Sequence, residues 1–117
     1  MEKLVQISFL IISQMGYARS KYIEAYRFAK KGNFESAKES LSEGDKYYLE
    51  GHNAHAQLIQ KEANGENVLP SVLLMHAEDQ LMCTETTKLL AVEIIDLHNN
   101  IGQLEKRLES LEAKHVK

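Results

Sequence analysis

Apolar residues recur along most of this chain at alternating intervals of three and four, the spacing of helices with one packed face. The only proline is Pro70, and turn-forming residues cluster at Gly32-Asn33 and in the run 64–67. These breaks predict three long helices, over residues 2–31, 34–64 and 70–113, with Pro70 at the start of the third helix. The predicted fold is an all-α, antiparallel three-helix bundle in one domain of residues 1–117.

In the first two predicted helices, glycines interrupt the stripes that are expected to face a partner helix. The stripe of the first helix consists of Val5, Phe9, Ile12, Gly16, Arg19, Ile23 and Tyr26. Glycine costs about 1 kcal/mol in a helix interior, so Gly16 is either merely tolerated or approached closely by a backbone or a ligand. Gly44 and Gly51 in the second helix predict either a cavity or a close helix crossing.

The third predicted helix carries the longest regular pattern, an alternation typical of a coiled coil, through Leu90, Ile94, Leu97, Ile101, Leu104, Leu108 and Leu111. The same register continues toward the N-terminus through Thr87, Cys83, Gln80, His76 and Leu73. The residues of this stripe therefore become small and polar near His76, on a face that is expected to meet other helices.

His76 is the strongest candidate for chemistry. Asp79 and Gln80 lie within about 60° of it around the helix, whereas Glu78 points to the opposite side. A histidine, a carboxylate and an amide on one face suit nucleophilic chemistry or metal binding, but a hydrogen-bonded packing histidine has the same pattern. His52 and His55 are three residues apart, which also permits a metal site.

Composition narrows the possible functions. The 117 residues carry a net charge of −3 without a block of Lys or Arg, so no nucleic-acid surface is expected. The single cysteine allows no internal disulfide and favours a reducing compartment, the cytoplasm. The apolar run 7–12 is too short to span a bilayer, and no signal peptide is recognised. Because so short a chain buries a modest core, oligomerisation is expected to supply further burial.

Four short motifs resemble those of one known family. Residues 16–20, Gly-Tyr-Ala-Arg-Ser, look like its G-x-A-R-S; residues 32–37 resemble G-x-F-x-x-A, and residues 62–66 match E-A-x-G-E. The most specific motif, residues 75–84, is similar to x-H-A-Q-D-H-L-M-T. On these motifs the chain resembles the enzyme IIA component of the lactose/cellobiose/chitobiose class of the bacterial phosphoenolpyruvate-dependent sugar phosphotransferase system.

The resemblance implies a homotrimer of three-helix protomers and phosphorylation of His76. It implies that Gln80, His55 and Gly16 support the phosphoryl pocket. It also implies that Asp79 of each chain holds a divalent metal ion, expected to be magnesium, on the threefold axis, and no nucleotide is involved. The implied partners are the phosphocarrier HPr as phosphoryl donor and a cysteine of IIB as acceptor, with membrane IIC contacted only indirectly. The implied process is the uptake of a β-linked disaccharide such as cellobiose, chitobiose or lactose.

Three positions depart from the family pattern. His55 and Glu78 each stand where the family has glutamine, and Gln80 stands where it has histidine. Gln80 and His55 both keep a hydrogen-bond donor, so the donors are exchanged and not lost.

Two other interpretations stay open from the residues alone. In the first, the protein is a structural or regulatory helical oligomer in which His76, Gln80 and Cys83 only set the register. In the second, it is a metal-binding bundle with the ligands His52, His55, His76 and Asp79.

Overall fold

The computed structural model describes residues 2–116, and within them three helices form an antiparallel bundle. The helices are α1 (Glu2–Lys30), α2 (Phe34–Ala63) and α3 (Val72–Val116). The described residues contain no strand, which confirms the all-α three-helix prediction. None of these helices is long and apolar enough to cross a bilayer. Residues 1 and 117 of the predicted domain lie outside the described range.

Both turns between helices use a glycine in the left-handed region. Gly32 has φ +82° and Gly65 has φ +89°, a conformation that a Cβ atom disfavours. The N–H of Asn33 donates to Phe28 O at 2.9 Å, and the Asn33 side chain accepts a hydrogen bond from the Ser36 N–H at 3.3 Å. The predicted break at Gly32-Asn33 is therefore confirmed, and these residues end one helix and begin the next.

The start of α3 differs from the prediction. The Ser71 hydroxyl accepts a hydrogen bond from the Leu74 N–H at 3.0 Å, and the Ser71 carbonyl accepts one from the Met75 N–H at 2.9 Å. Because a serine side chain can satisfy a free helix N–H and a proline cannot, Ser71 is the cap and α3 begins at Val72. The predicted start at Pro70 is wrong by two residues, and His76 becomes the fifth residue of α3.

The core lies along α1, which packs against both other helices, whereas α2 and α3 touch at few points. One cluster of buried side chains joins all three helices through Ile11, Met15, Ala54, Leu58, Leu74, Ala77 and Leu81. A second cluster, Ala18, Tyr22 and Ala91, lies farther along the bundle. The fully buried Thr84 hydroxyl donates to Met15 O at 3.4 Å between the two clusters, linking α3 to α1.

The predicted inward stripe of α1 is wrong by one residue. The buried residues of α1 are Ser8, Ile11, Met15, Ala18, Tyr22, Ala25 and Ala29. On the predicted stripe, Val5 and Phe9 are exposed and Gly16 is only half-buried. The buried stripe contains several small residues that let the helices approach closely, and this advantage outweighs the larger apolar side chains on the neighbouring stripe.

The two glycines of α2 lie where buried side chains of α1 pack against this helix. A Cβ atom on Gly44 would be 2.8 Å from Tyr22 Cε1, and one on Gly51 would overlap the terminal methyl of Met15. Tyr22 and Met15 are both fully buried, so α1 side chains fill the space that the glycines leave. The predicted cavity is therefore wrong, and the α1 backbone comes near only at Gly51, where a Cβ atom would be 3.9 Å from Ile11 O.

We expect Gly44→Val to lower the free energy of unfolding by about 1–3 kcal/mol, because the added side chain must displace the buried Tyr22 ring. Gly102→Val is the matched control, since a Cβ atom there meets nothing within 4 Å and valine favours a helix more than glycine does. Urea denaturation of both variants tests this difference. Equal losses of stability would mean that Gly44 is not a packing position.

A network of polar side chains connects all three helices near the second core cluster. The Tyr22 hydroxyl donates to Asp45 Oδ1 at 2.6 Å, and Lys88 Nζ lies 3.2 Å from the same oxygen. Lys88 Nζ also lies 5.1 Å from the centre of the Tyr48 ring. Burial and the hydrogen bond to Asp45 raise the pKa of Tyr22 well above its ordinary value. The Lys88–Asp45 contact is one of the few links between α2 and α3.

Candidate functional site

The heptad positions of α3 from Leu73 to Leu111 form a stripe that we call the seam. Within one chain the seam does not pack on α1 or α2, because the buried residues of α3 lie one position later, at Leu74, Ala77, Leu81, Thr84 and Ala91. Most seam residues are exposed and the rest are only partly covered. The expectation that this face meets other helices is therefore not met inside the protomer, and the seam is free to contact other chains.

His76 lies on the exposed seam in the second turn of α3. Four large apolar side chains around the start of this helix are also exposed, with exposed fractions of 56–84%: Leu69, Val72, Met75 and Met82. Around α3, Val72 lies about 40° from His76, and Met75 and Met82 lie about 100° and 120° away on the same flank, so these side chains border His76 on one side. Exposed apolar side chains beside a polar centre are typical of a protein contact surface. A partner protein could reach the imidazole and lie on this apolar rim at the same time.

Asp79 and Gln80 lie on the side of α3 that carries His76, as helical spacing requires. The Asp79 carboxylate is exposed, and the Cys83 thiol donates weakly to its Oδ1 at 3.8 Å. The Gln80 side chain is half-buried. Their assignments to metal binding and to the phosphoryl pocket stay predictions.

His55 contacts Glu78, which lies on the side of α3 opposite His76. Its Nε2 lies 3.0 Å from Glu78 Oε2, and the His55 side chain is mostly buried while Glu78 is half-exposed. Glu78 is about 160° from His76 around α3, so one chain holds His55 and His76 on different sides of this helix. The role of His55 in the phosphoryl pocket stays a prediction. Its contact with Glu78 could have been suspected, because both positions depart from the family pattern.

Gly16 has an open surface in the protomer. A Cβ atom at this position would meet nothing within 4 Å, so no neighbouring backbone of the described chain approaches it. Of the alternatives for Gly16, a close backbone approach is not met within the protomer. A role for Gly16 beside a phosphoryl group stays a prediction.

The metal-binding bundle is not formed within the protomer. Across residues 2–116, no group of three His, Cys, Asp or Glu side chains could hold a metal ion. The His52 ring stacks on Tyr48 with 5.8 Å between ring centres, and His55 is engaged by Glu78. The histidines of α2 are therefore not brought together with His76 and Asp79.

Comparison with known proteins agrees with this fold. Residues 6–99 match the family model described as PTS system, lactose/cellobiose-specific IIA subunit. The lichenan-specific phosphotransferase enzyme IIA component of Bacillus subtilis (strain 168) is 39% identical over 102 residues, covering 87% of this chain and 93% of that protein. The oligo-beta-mannoside-specific EIIA component of the same strain is 42% identical over 92 residues, covering 79% and 84%.

A solved structure of a related protein has a similar fold. The PTS cellobiose-specific enzyme IIA from Bacillus anthracis superimposes with a TM-score of 0.81 at 43% identity, covering 84% of this chain and 90% of that one. The match includes most of the three-helix bundle and the whole segment around His76 lies within the family model. The chain therefore belongs to the lactose/cellobiose-specific IIA family of the sugar phosphotransferase system.

Proposed function

We propose that this protein accepts a phosphoryl group from HPr on His76 and passes it to a cysteine of IIB during uptake of a β-linked disaccharide such as cellobiose, chitobiose or lactose. Membership of the IIA family makes the chain a phosphotransferase component. The observation that carries the assignment to His76 is its exposure on the free seam of α3, beside an apolar rim.

The position of His76 suits a nucleophile that must meet two partners in turn. An imidazole has a useful unprotonated fraction near neutral pH, and the neutral ring nitrogen can attack phosphorus. The start of α3 carries the positive end of the helix dipole, which favours a nearby dianionic phosphoryl group. His76 is the fifth residue of α3, beyond the first turn within which this effect falls off, so the dipole contributes little at the imidazole.

The transfer needs no nucleotide and no water. A His76 ring nitrogen attacks the phosphorus of phospho-HPr in line, so that a new N–P bond forms as the donor's N–P bond breaks. In the second step the thiolate of IIB attacks the same phosphorus, an S–P bond forms, and the His76 nitrogen leaves. The apolar rim of Leu69, Val72, Met75 and Met82 would exclude water from the phosphoramidate while each partner is docked.

Assembly into a trimer would cover the seam and bring three copies of Asp79 together. The exposed Asp79 carboxylate is a ligand type that magnesium accepts, but one carboxylate cannot form a site by itself. The residues fit a shared divalent ion only if several chains contribute, in keeping with the lack of a complete site within residues 2–116. When bound, such an ion would neutralise carboxylates that otherwise repel a phosphoryl group.

The test is the intact mass of the wild-type protein after incubation with phosphoenolpyruvate, enzyme I and HPr. We expect a gain of one acid-labile phosphoryl group per chain, and its loss when a IIB protein with an intact cysteine is added. No gain by a folded protein, with HPr itself shown to be phosphorylated, would rule out the carrier function and favour the structural oligomer.

A further inference from the structure

A partly open cavity lies at the end of the bundle where α1 begins and α2 ends. Its volume is about 320 Å³, at the lower end of the range of about 300–1,000 Å³ that is typical of small-molecule pockets. The first two turns of α1, the last two turns of α2 and the connection before α3 line it. Among the described residues, the lining includes none of His76, Asp79 and Gln80, and it shares only Leu69 with the apolar rim.

The inner wall of the cavity is apolar. Leu58 belongs to the core cluster that joins all three helices and is only 6% exposed. Leu4, Ile7 and Val68 pack against that cluster and are only partly buried themselves. These four side chains continue the core to the surface, and an aliphatic ligand would remove more of their area from water. The cavity therefore suits a small apolar group.

Two lysines lie at the cavity, and the chain pairs neither with a carboxylate. Lys3 is exposed and Lys61 is half-buried. Across residues 2–116, no carboxylate oxygen lies within 4.0 Å of either ammonium group. Glu66 also lines the cavity, so two lysines and one glutamate leave one net positive charge there. A single net charge favours a monoanion as the ligand over a dianion, which would need both lysines free of Glu66.

The helix dipole explains one of these lysines but not the other. Lys61 lies in the last turn of α2, where a cation offsets the negative end of the dipole. Lys3 is the second residue of α1, where the positive end of the dipole disfavours a cation. A bound anion is attracted by both ammonium groups and by the start of α1, so it would make the position of Lys3 favourable.

We propose that this cavity binds a free carboxylate with a straight aliphatic chain of medium length, such as octanoate. The aliphatic chain lies against Leu4, Ile7 and Leu58, and the carboxylate accepts charge-assisted hydrogen bonds from Lys3 and Lys61. This site is additional to the proposed carrier function and does not depend on phosphoryl transfer.

Methyl NMR of the labelled full chain, titrated with octanoate, tests the location and the affinity together. We expect saturable shifts at Leu4, Ile7, Leu58 and Val68, with a dissociation constant of about 1 mM. Nuclear Overhauser effects should connect the ligand methylenes to the same methyl groups. His76→Ala should bind octanoate like the wild type, so a failure of the carrier function would not alter this result. Shifts that do not saturate, or that are confined to the apolar rim, would overturn the proposal.

Two further ligands separate the contribution of the aliphatic chain from that of the charge. Hexanoate should bind about fifteenfold more weakly, because each methylene removed from water contributes about fourfold in affinity. Octylammonium, which has the same chain length and the opposite charge, should bind at least about tenfold more weakly than octanoate. Equal binding of octanoate and octylammonium would overturn the assignment of the ligand as a carboxylate.

A pair of double variants tests the two lysines. Lys3→Gln with Lys61→Gln should weaken octanoate binding by about tenfold, because glutamine keeps a hydrogen-bond donor but removes the charge. The matched control, Lys38→Gln with Lys46→Gln, makes the same change in net charge at exposed positions of α2 outside the cavity and should bind like the wild type. Equal effects of the two double variants would overturn the site. Shifts of the cavity methyl groups by HPr or IIB, with none by octanoate, would instead assign the cavity to a partner protein.

Discussion

His76→Ala is expected to abolish phosphoryl acceptance from phospho-HPr, so that the intact mass of the variant does not change under conditions that modify the wild type completely. Alanine offers no ring nitrogen to attack phosphorus, and no other group on the seam can form the same phosphoramidate. Because His76 is exposed in the protomer, its removal leaves the buried core unchanged. Circular dichroism should therefore show the helical content of the wild type.

His52→Ala is the control for this prediction. His52 is exposed on α2 and stacks on Tyr48, so it shares the chemistry of His76 without its position. We expect this variant to gain one phosphoryl group at close to the wild-type rate. Retained acceptance by His76→Ala, with an acid-labile product, would show that another histidine carries the group.

Tyr22→Ala is expected to lower the free energy of unfolding by about 3–5 kcal/mol, because it empties the space of a fully buried aromatic side chain. The ring also packs against Gly44, and the Tyr22 hydroxyl donates to Asp45 Oδ1, so the substitution removes contacts to α2 as well. Urea denaturation at fixed protein concentration measures the change. A loss below about 1 kcal/mol would contradict the packing described for the second core cluster.

Tyr22→Phe separates the hydroxyl from the ring. We expect a loss of about 1 kcal/mol near neutral pH, the usual contribution of one hydrogen bond. Because the pKa of Tyr22 is raised in the folded state, the folded chain keeps this proton at a pH where the unfolded chain, with a pKa of about 10, releases it. Wild-type stability should therefore fall more steeply than that of Tyr22→Phe as the pH rises above about 10. Parallel stability profiles would contradict this.

The helices could be predicted from the sequence because their signals are local. Gly32 ends α1 through its left-handed backbone, and Asn33 begins α2 by accepting a hydrogen bond with its side chain. Apolar spacing and turn residues were therefore enough to predict this boundary. The start of α3 was misplaced because Pro70 and Ser71 are both good start signals, and only the hydrogen bond from Leu74 distinguishes them.

The packed faces were harder to predict. α1 carries two apolar stripes one residue apart, and the sequence alone does not say which faces the same chain. The stripe with Phe9 has the larger side chains, but the one with Ala18 and Ala25 allows the helices to approach closely and is the buried one. α3 also has two such stripes, and the exposed one carries His76. A periodic pattern identifies an interface but not the chain on its other side.

The residues around the candidate site show the same limit. His76 can be identified from its motif. Its exposure within the protomer does not follow from helical spacing, which places it on a face expected to meet other helices. The contact between His55 and Glu78 joins two helices, so no helical periodicity reveals it, and the only hint is that both positions depart from the family pattern. The open surface at Gly16 likewise depends on how α1 is rotated about its axis in the bundle. The predicted packed stripe of α1 differs from the buried one by one residue, so the predicted rotation is wrong.

The most direct test of the central claim is to locate the phosphoryl group on the wild-type chain by peptide mapping and tandem mass spectrometry at alkaline pH, after transfer from phospho-HPr. The chain has five histidines, at positions 52, 55, 76, 98 and 115. We predict that the phosphoryl group is found on His76, in the peptide from the start of α3. A phosphoryl group on any of the other four histidines, with His76 unmodified, would contradict the account.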